Sequence, residues 1–317
     1  MNRKIEDAVE LCRAIEQNIN RVIIGKEKTI RLIMIALTAG GHILIEDVPG
    51  IGKTTLVRAL ARSLDLRFSR IQFTPDVMPS DVTGYNVFNP TTGKFEFRPG
   101  AILTQILLAD EINRTSPKTQ SALLEAMQEN QVTVDQTTYP LPKPFIVLAT
   151  QNPIEQQGTY ILPEAQLDRF MMQITLGYPS FEEELDILSR FSEEDPLDTL
   201  EPIATSEEVF WLQETARKIY VAPPLMHYIS HLAQKTRSHR DVELGISPRA
   251  TLMLLQAAKA RALLEGREFV TPDDVQQLFC PVLQHRLLLK AEGRVQGINT
   301  SQILDVILRQ VPVPVRQ

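Results

Sequence analysis

The chain has two cysteines in 317 residues, Cys12 and Cys280, far apart in sequence. That count leaves no disulfide framework and no cluster of zinc ligands, and both read as reduced, partly buried residues of a cytosolic protein. No apolar stretch approaches the ~20 residues needed to span a bilayer. The N-terminal MNRKIEDAVELCRAIEQNI carries Glu and Asp among its apolar positions, so it reads as an amphipathic helix and not as a signal peptide. These features predict a cytoplasmic protein. A surplus of positive charge is also missing: 33 Lys and Arg against 39 Asp and Glu give −6, which argues against a surface built to coat nucleic acid. No internal repeat, low-complexity segment or flexible linker occurs. His227 and His231 stand four apart with no HExxH and no third ligand, and read as a solvated or partly buried pair.

Hydrophobic residues at 43% and charged residues at 23% are ordinary for a globular protein, and the length suits two domains. Over residues 1–178 short apolar runs (HILIE, RFSRIQF, TQILLAD, FIVLAT) alternate with helix-like spacers. Each run is bounded by turn or charged residues, the pattern of strands in a parallel α/β sheet. From Pro179 such runs give way to apolar residues at three-to-four spacing, as in SEEVFWLQETARKIY and SPRATLMLLQAAKARALLE. Several of these segments open with Ser or Thr before Glu, Asp or Pro, as helix N-termini do. The expected plan is an α/β core over 1–178 and a smaller, all-α domain over 179–317. Trp211 falls in the helical core, the run Lys235, Arg237, His239, Arg240 reads as a solvated loop, and VPVPVRQ as an extended end.

EDVPGIGKTT follows the run HILI directly. The phosphate-binding pattern G-x-x-x-x-G-K-[ST] is met in its second half by Gly52, Lys53 and Thr54, while Asp47 stands at the first glycine position. Gly50 and Gly52 let backbone N–H groups turn inward, and a helix beginning near Lys53 points its positive end at the same spot. Lys53 would reach the β- and γ-phosphates, and Thr54 would place its hydroxyl on Mg²⁺; Pro49, Ile51 and Thr55 complete the loop. ILLADE sets Asp110 and Glu111 at the carboxyl end of a strand, the edge at which open parallel sheets bind ligands. Asp110 is the candidate Mg²⁺ ligand and Glu111 the group that polarises the attacking water. FIVLATQNP delivers Asn152 at the same edge, to orient water or to sense the γ-phosphate; locally it is equally a residue turning strand into loop. No NKxD-like guanine signature occurs, so the nucleotide is expected to be ATP.

In this order, P-loop, Asp-Glu, Asn after a strand and a helical domain, the chain resembles an AAA+ ATPase. DEINRTSPKTQSALLEAMQE with ATQNPIEQQGTYILPEAQLDRF is similar to the MoxR family of that class, and IQFTPDVMPSDVTGYNVFN and YPSFEEELDIL match it as well. The resemblance runs from about Val22 to about Gln276, and Asp47 is common among such proteins. One departure is Pro99-Gly100-Ala101-Ile102-Leu103, where many relatives have PG-P-[VI]-F; no catalytic effect is expected from it. The resemblance implies that Arg169 is an arginine finger reaching the ATP of a neighbouring subunit. It implies that Arg249 is a sensor-2 arginine carried by the lid onto the γ-phosphate of its own subunit, that Asn152 is sensor 1, and that Ile24 and Gly25 flank adenine. Without that pattern, Arg169 reads as a surface salt-bridge residue and Arg249 as one in a helix's first turn.

An arginine in trans implies a closed heterologous ring, in this family a hexamer. VTGYNVFNPTTGKFEFRPGAI and NQVTVDQTTYPLPKPF read as hairpins resembling the two insertions of the AAA+ branch shared with magnesium chelatase and MCM-type helicases. The leading expectation is an ATP- and Mg²⁺-dependent chaperone whose lid closes on ATP and reopens on hydrolysis. The resemblance implies client proteins, among them proteins with von Willebrand factor A domains, that it assembles, activates or loads with metal. Alternatives are a nucleic-acid motor or loader, which usually carries a further DNA-binding domain, a subunit of a metal chelatase, and a nucleotide switch without hydrolysis. Glu111 and Arg169 speak against the last.

Overall fold

Five strands build one all-parallel sheet: β1 (Ile43–Glu46), β2 (Phe68–Gln72), β3 (Ile106–Asp110), β4 (Ile146–Gln151) and β5 (Met172–Ile174), in the order β2-β3-β4-β1-β5. The computed structural model describes residues 4–152, 160–192 and 194–314; the stretch 153–159, within the family motif, and the last residues of VPVPVRQ lie outside it. β3 is buried along its whole length and β4 along all but its last residue. Strands covered on both faces can be uninterrupted apolar runs, which is how ILLAD and FIVLAT read. Four strands coincide with the apolar runs, whereas β5 has only three residues and was not expected.

The core helices are α1 (Ile5–Asn20), α2 (Glu27–Ala39), α3 (Lys53–Ser63) and α4 (Pro117–Glu129). After β5 come α5 (Phe181–Arg190), α6 (Ser206–Lys218), α7 (Pro223–Ser238), α8 (Pro248–Leu264), α9 (Pro272–Leu283) and α10 (Thr300–Gln310). Their starts are written in the chain. Ser180 with Glu183 and Thr205 with Glu208 form reciprocal capping boxes, and Ser116 and Ser247 cap the helices that follow them. A short antiparallel pair, Val242–Leu244 with Leu288–Leu289, is a small addition to the otherwise helical second part. Both expected hairpins form, Gly84–Asn89 with Lys94–Pro99 and Gln131–Val134 with Thr137–Pro140. No described helix is long and apolar enough to cross a membrane.

The position of the helical part decides what it can touch. One continuous apolar core joins Cys12 and Ile15 of α1, Ile33 and Leu37 of α2, Leu212 of α6, Ala257 of α8 and Phe279 of α9. Polar ties cross the same boundary. Gln213 Nε2 donates to the Leu37 carbonyl (2.8 Å), Asn18 Nδ2 to the Glu201 carbonyl (3.0 Å), and the Ile203 and Ala204 amides to the Ser63 carbonyl (2.8 and 3.1 Å). Each large apolar side chain buried here contributes about 1.5–3 kcal/mol, so this packing fastens the lid to α1 and α2. Trp211 packs partly buried against this core, while His227 and His231 are exposed.

Candidate active site

The loop from Asp47 to Gly52 joins the carboxyl end of β1 to α3. Gly50 and Gly52 have φ of 85° and 87°, a region L side chains rarely adopt, and a Cβ at either would meet nothing within 4 Å. The glycines therefore serve backbone direction: they turn the loop so that its amides precede the N-terminus of α3, a ready site for phosphate. Lys53 and Thr54 are the first two residues of that helix. Lys53 Nζ lies over the loop, donating to the carbonyls of Asp47 (2.9 Å) and Val48 (3.2 Å). Asp47 explains the departure from the glycine pattern. Its Oδ2 accepts from the amides of Leu176 (2.5 Å) and Gly177 (2.9 Å), tethering the loop to the chain leaving β5.

Beside the loop, β3 and β4 bring the acidic pair and Asn152 to the same edge. The buried Thr150 hydroxyl accepts from the Glu111 amide (2.8 Å) and donates to Asp110 Oδ1 (2.6 Å), so a single side chain orders both acids. Glu111 adopts the left-handed conformation (φ 57°, ψ 49°), a cost of order 1–3 kcal/mol for a residue with a Cβ and one found at functional sites. Its Oε2 accepts from Gln72 Nε2 (2.6 Å) and lies 3.2 Å from Arg114 Nε. Arg70 Nη2 reaches Asp110 Oδ2 (2.7 Å) and Gln72 Oε1 (2.9 Å), closing a network over both carboxylates. Asn152 is buried directly after β4, and the Asp47 amide donates to the Gln151 carbonyl (3.1 Å), so Asn152 follows the loop's own neighbour. The Thr54 hydroxyl and the Asp110 carboxylate are hard oxygen donors, a set that suits Mg²⁺.

A cavity of 410 Å³ adjoins the loop, lined by Ile24, Pro49, Gly50, Ile51, Gly52 and Thr55, with Val22, Tyr178 and Phe191 among its apolar walls. Its size and apolar character suit a purine and its sugar. Gly25 has φ 69°, a conformation L side chains rarely adopt, and a Cβ there would displace the Glu183 side chain, whose Oε1 would lie 1.7 Å away. The structure thus gathers Ile24, Gly25, the loop residues, Asp110, Glu111 and Asn152 at one edge of the sheet.

Arg169 and Arg249 are elsewhere. Both line a second cavity with Gly40, Gly41 and His42, which precede β1. At about 3.3 Å per residue, the four residues of β1 separate that amino edge from the phosphate loop by about 13 Å. Burial and the adjacent Arg249 guanidinium lower the Arg169 pKa, and Arg169 Nε is buried with no hydrogen-bond partner among the described residues. Arg249 Nη2 donates to Gln128 Oε1 (3.3 Å). Arg249 stands at the amino edge because α8, which carries it, is packed on α1, α2 and α6.

The hairpins are joined to each other. Phe97 stacks on Tyr139 with ring centroids 3.9 Å apart, and Asn86 Nδ2 donates to Asp135 Oδ2 (2.6 Å). Phe88 and Phe95 stay exposed toward the tip of the first hairpin. Sequence reasoning missed Arg70, Gln72, Arg114 and Thr150. Thr150 stood in the quoted run, but only the strand register, with Gln72 opposite Asp110, shows what β2 contributes.

A parallel sheet with a phosphate loop, an acidic pair and a helical lid defines a P-loop ATPase of the AAA+ class. Residues 42–172 match the ATPase family associated with various cellular activities, and residues 234–307 match its lid domain. The chain is 51% identical to YeaC of Bacillus subtilis, over 98% of each chain. It is 39% identical to the chaperone MoxR1 of Mycobacterium tuberculosis, over 93% of this chain and 80% of that one. A crystal structure of a putative ATPase from Cytophaga hutchinsonii superposes with a TM-score of 0.92 at 40% identity, over 98% of this chain and 97% of the other. The chain belongs to the MoxR family of AAA+ ATPases.

Proposed function

We propose that this protein hydrolyses ATP at sites completed between subunits of a closed ring, and uses the cycle to remodel client proteins. The supporting observation is the division of the machinery between two edges of one sheet. Lys53, Thr54, Asp110, Glu111 and Asn152 stand at the carboxyl edge, whereas Arg169 and Arg249 stand together at the amino edge. In a heterologous ring the amino edge of one subunit meets the carboxyl edge of the next, and both arginines act in trans.

In this reading the loop amides and Lys53 bind the β- and γ-phosphates, and Glu111, held by Gln72 and Arg114, takes a proton from the attacking water. Asn152 orients that water. Thr54 and Asp110 would hold Mg²⁺, which would supply neutralising charge to the phosphate oxygens. Arginine delivered to the transferring phosphoryl is worth about 10³–10⁵ in rate in well-studied cases. Residues 1–178 carry the phosphate loop and the acidic pair, and 179–317 carry Phe191 of the cavity wall and Arg249. The hexamer and clients with von Willebrand factor A domains come from family resemblance, as does the chaperone role, and the cytoplasmic setting from the sequence features above; the exposed Phe88 and Phe95 offer apolar surface for a client.

Mixing inactive subunits tests the ring reading. Glu111→Gln and Arg169→Ala each bind ATP and turn over slowly alone. Mixed, an Arg169→Ala subunit supplies an intact Glu111 and its Glu111→Gln neighbour an intact Arg169, so activity returns. No activity at any mixing ratio, with co-assembly verified, contradicts catalysis in trans.

A further inference from the structure

Against the backbone that flanks Arg169 sits a buried charge that neither the phosphate loop nor the acidic pair uses. The Arg286 side chain is 2% exposed, and its guanidinium is committed on every side. Nε donates to Asp168 Oδ1 (3.0 Å), Nη1 to the carbonyls of Met171 (3.1 Å) and Val282, and Nη2 to the carbonyls of Asp168 (3.3 Å) and Phe170. Nη2 also lies 2.9 Å from Met253 Sδ, one turn along α8 from Arg249. Two neighbours join the grip, His285 Nε2 at 3.1 Å from the Phe170 carbonyl and Gln284 Nε2 at 3.3 Å from the Gln173 carbonyl. The turn 284–286 thus clasps the backbone on both sides of Arg169.

Asp168 carries the clasp to the second arginine. The Ser247 hydroxyl donates to both Asp168 oxygens (3.0 and 2.9 Å) while accepting from the Ala250 amide (3.0 Å) as the cap of α8. Arg249 is two residues from that cap. One carboxylate therefore fixes the residue before Arg169 and the first turn bearing Arg249. Burying a guanidinium and a carboxylate is costly, and well-packed apolar residues often hold two elements together more cheaply. What apolar packing does not provide is direction, and Arg249 stands close enough to both Arg169 and Arg286 to add to burial in lowering their pKa values, so like charges here need to be held.

Resting on the reading in which Arg169 and Arg249 act in trans, we infer that Asp168, gripped between Arg286 and Ser247, positions the two arginines as one unit for the neighbouring subunit's phosphate. Arg286 and Ser247 are positioning residues that need not touch nucleotide. Their loss lowers kcat and leaves the KM for ATP, which is set at the opposite edge, unchanged. Displacement of a catalytic group by about 1 Å costs roughly 10²-fold in rate.

The experiment compares Arg286→Lys, Ser247→Ala and Ser247→Thr with Arg169→Ala, each measured for melting, kcat and KM, and each mixed with Glu111→Gln subunits. The expected result is a kcat roughly 10²-fold lower for Arg286→Lys and Ser247→Ala at unchanged KM. Activity returns on mixing, and Ser247→Thr, which keeps the hydroxyl, stays close to the parent. If Arg286→Lys fails to fold, Ser247→Ala decides. Parental kcat in Ser247→Ala beside an inactive Arg169→Ala overturns the inference. So does lost activity that mixing fails to restore while it restores Arg169→Ala, since the defect then lies in the subunit's own site. Parental activity in Arg169→Ala instead removes the underlying reading.

Discussion

Replacing Asp47 by glycine restores the usual first residue of the phosphate loop, and the structure predicts that it harms the protein. The carboxylate accepts from the amides of Leu176, Gly177 and Val48. Hydrogen bonds to a charged group contribute about 1.5–3 kcal/mol each. The two that cross from loop to β5 exit matter most, because the Val48 bond is local. Allowing for water reaching the freed amides, and for the extra freedom of an unfolded glycine, the loss comes to about 3 kcal/mol. A chain of this length unfolds with an entropy near 0.7 kcal/mol/K, so the shift in Tm is about 5 °C. Leu176 and Gly177 also line the nucleotide cavity, so untying them from the loop should raise the KM for ATP. Thermal melts without nucleotide and steady-state ATPase assays measure both effects. Asp47→Asn, which keeps one acceptor oxygen, should fall between the two. An Asp47→Gly protein that melts with the parent and binds ATP as well would refute the tether.

Two further outcomes follow from the other sites. Arg249→Ala should keep its affinity for ATP, lose about 10³-fold or more in kcat, and regain activity when mixed with Glu111→Gln, with about one interface in four competent at equal input; an arginine acting on its own subunit's ATP gives no recovery. Asp274 is fully buried in the lid, and although burial alone raises a carboxyl pKa, Arg267 and Thr271 hold it below the ordinary value. Its stabilisation is therefore complete above the unfolded value near 4 and is lost as pH falls through the lower folded value. Asp274→Asn should cost about 3–5 kcal/mol near neutrality and flatten that acid limb; an unchanged profile of melting temperature against pH would remove Asp274 from this role.

Much of the carboxyl edge was legible because each of its residues follows an apolar run directly: Asp47 to Thr55 after HILIE, Asp110 and Glu111 after ILLAD, Asn152 after FIVLATQ. A parallel sheet places the ends of such runs together, so spacing along the chain becomes proximity in space. Three things were not legible. β5 is too short to show a period. Arg70 and Gln72 reach the acids only through the β2–β3 register, which no local pattern encodes. The placement of Arg249 depends on how the lid packs, and the apolar faces of α6 and α8 announce burial without saying against what. They pack on α1 and α2, which carries Arg249 to the amino edge beside Arg169. A resemblance could supply the roles of the two arginines, but their shared edge required the packing.

The shared edge is best tested by measuring ATPase activity per subunit across a wide range of protein concentration, with sizing at each concentration. A site completed by the neighbour predicts turnover per subunit that climbs steeply with concentration and tracks the assembled fraction. Full turnover from a species that sizing shows to be monomeric would contradict it.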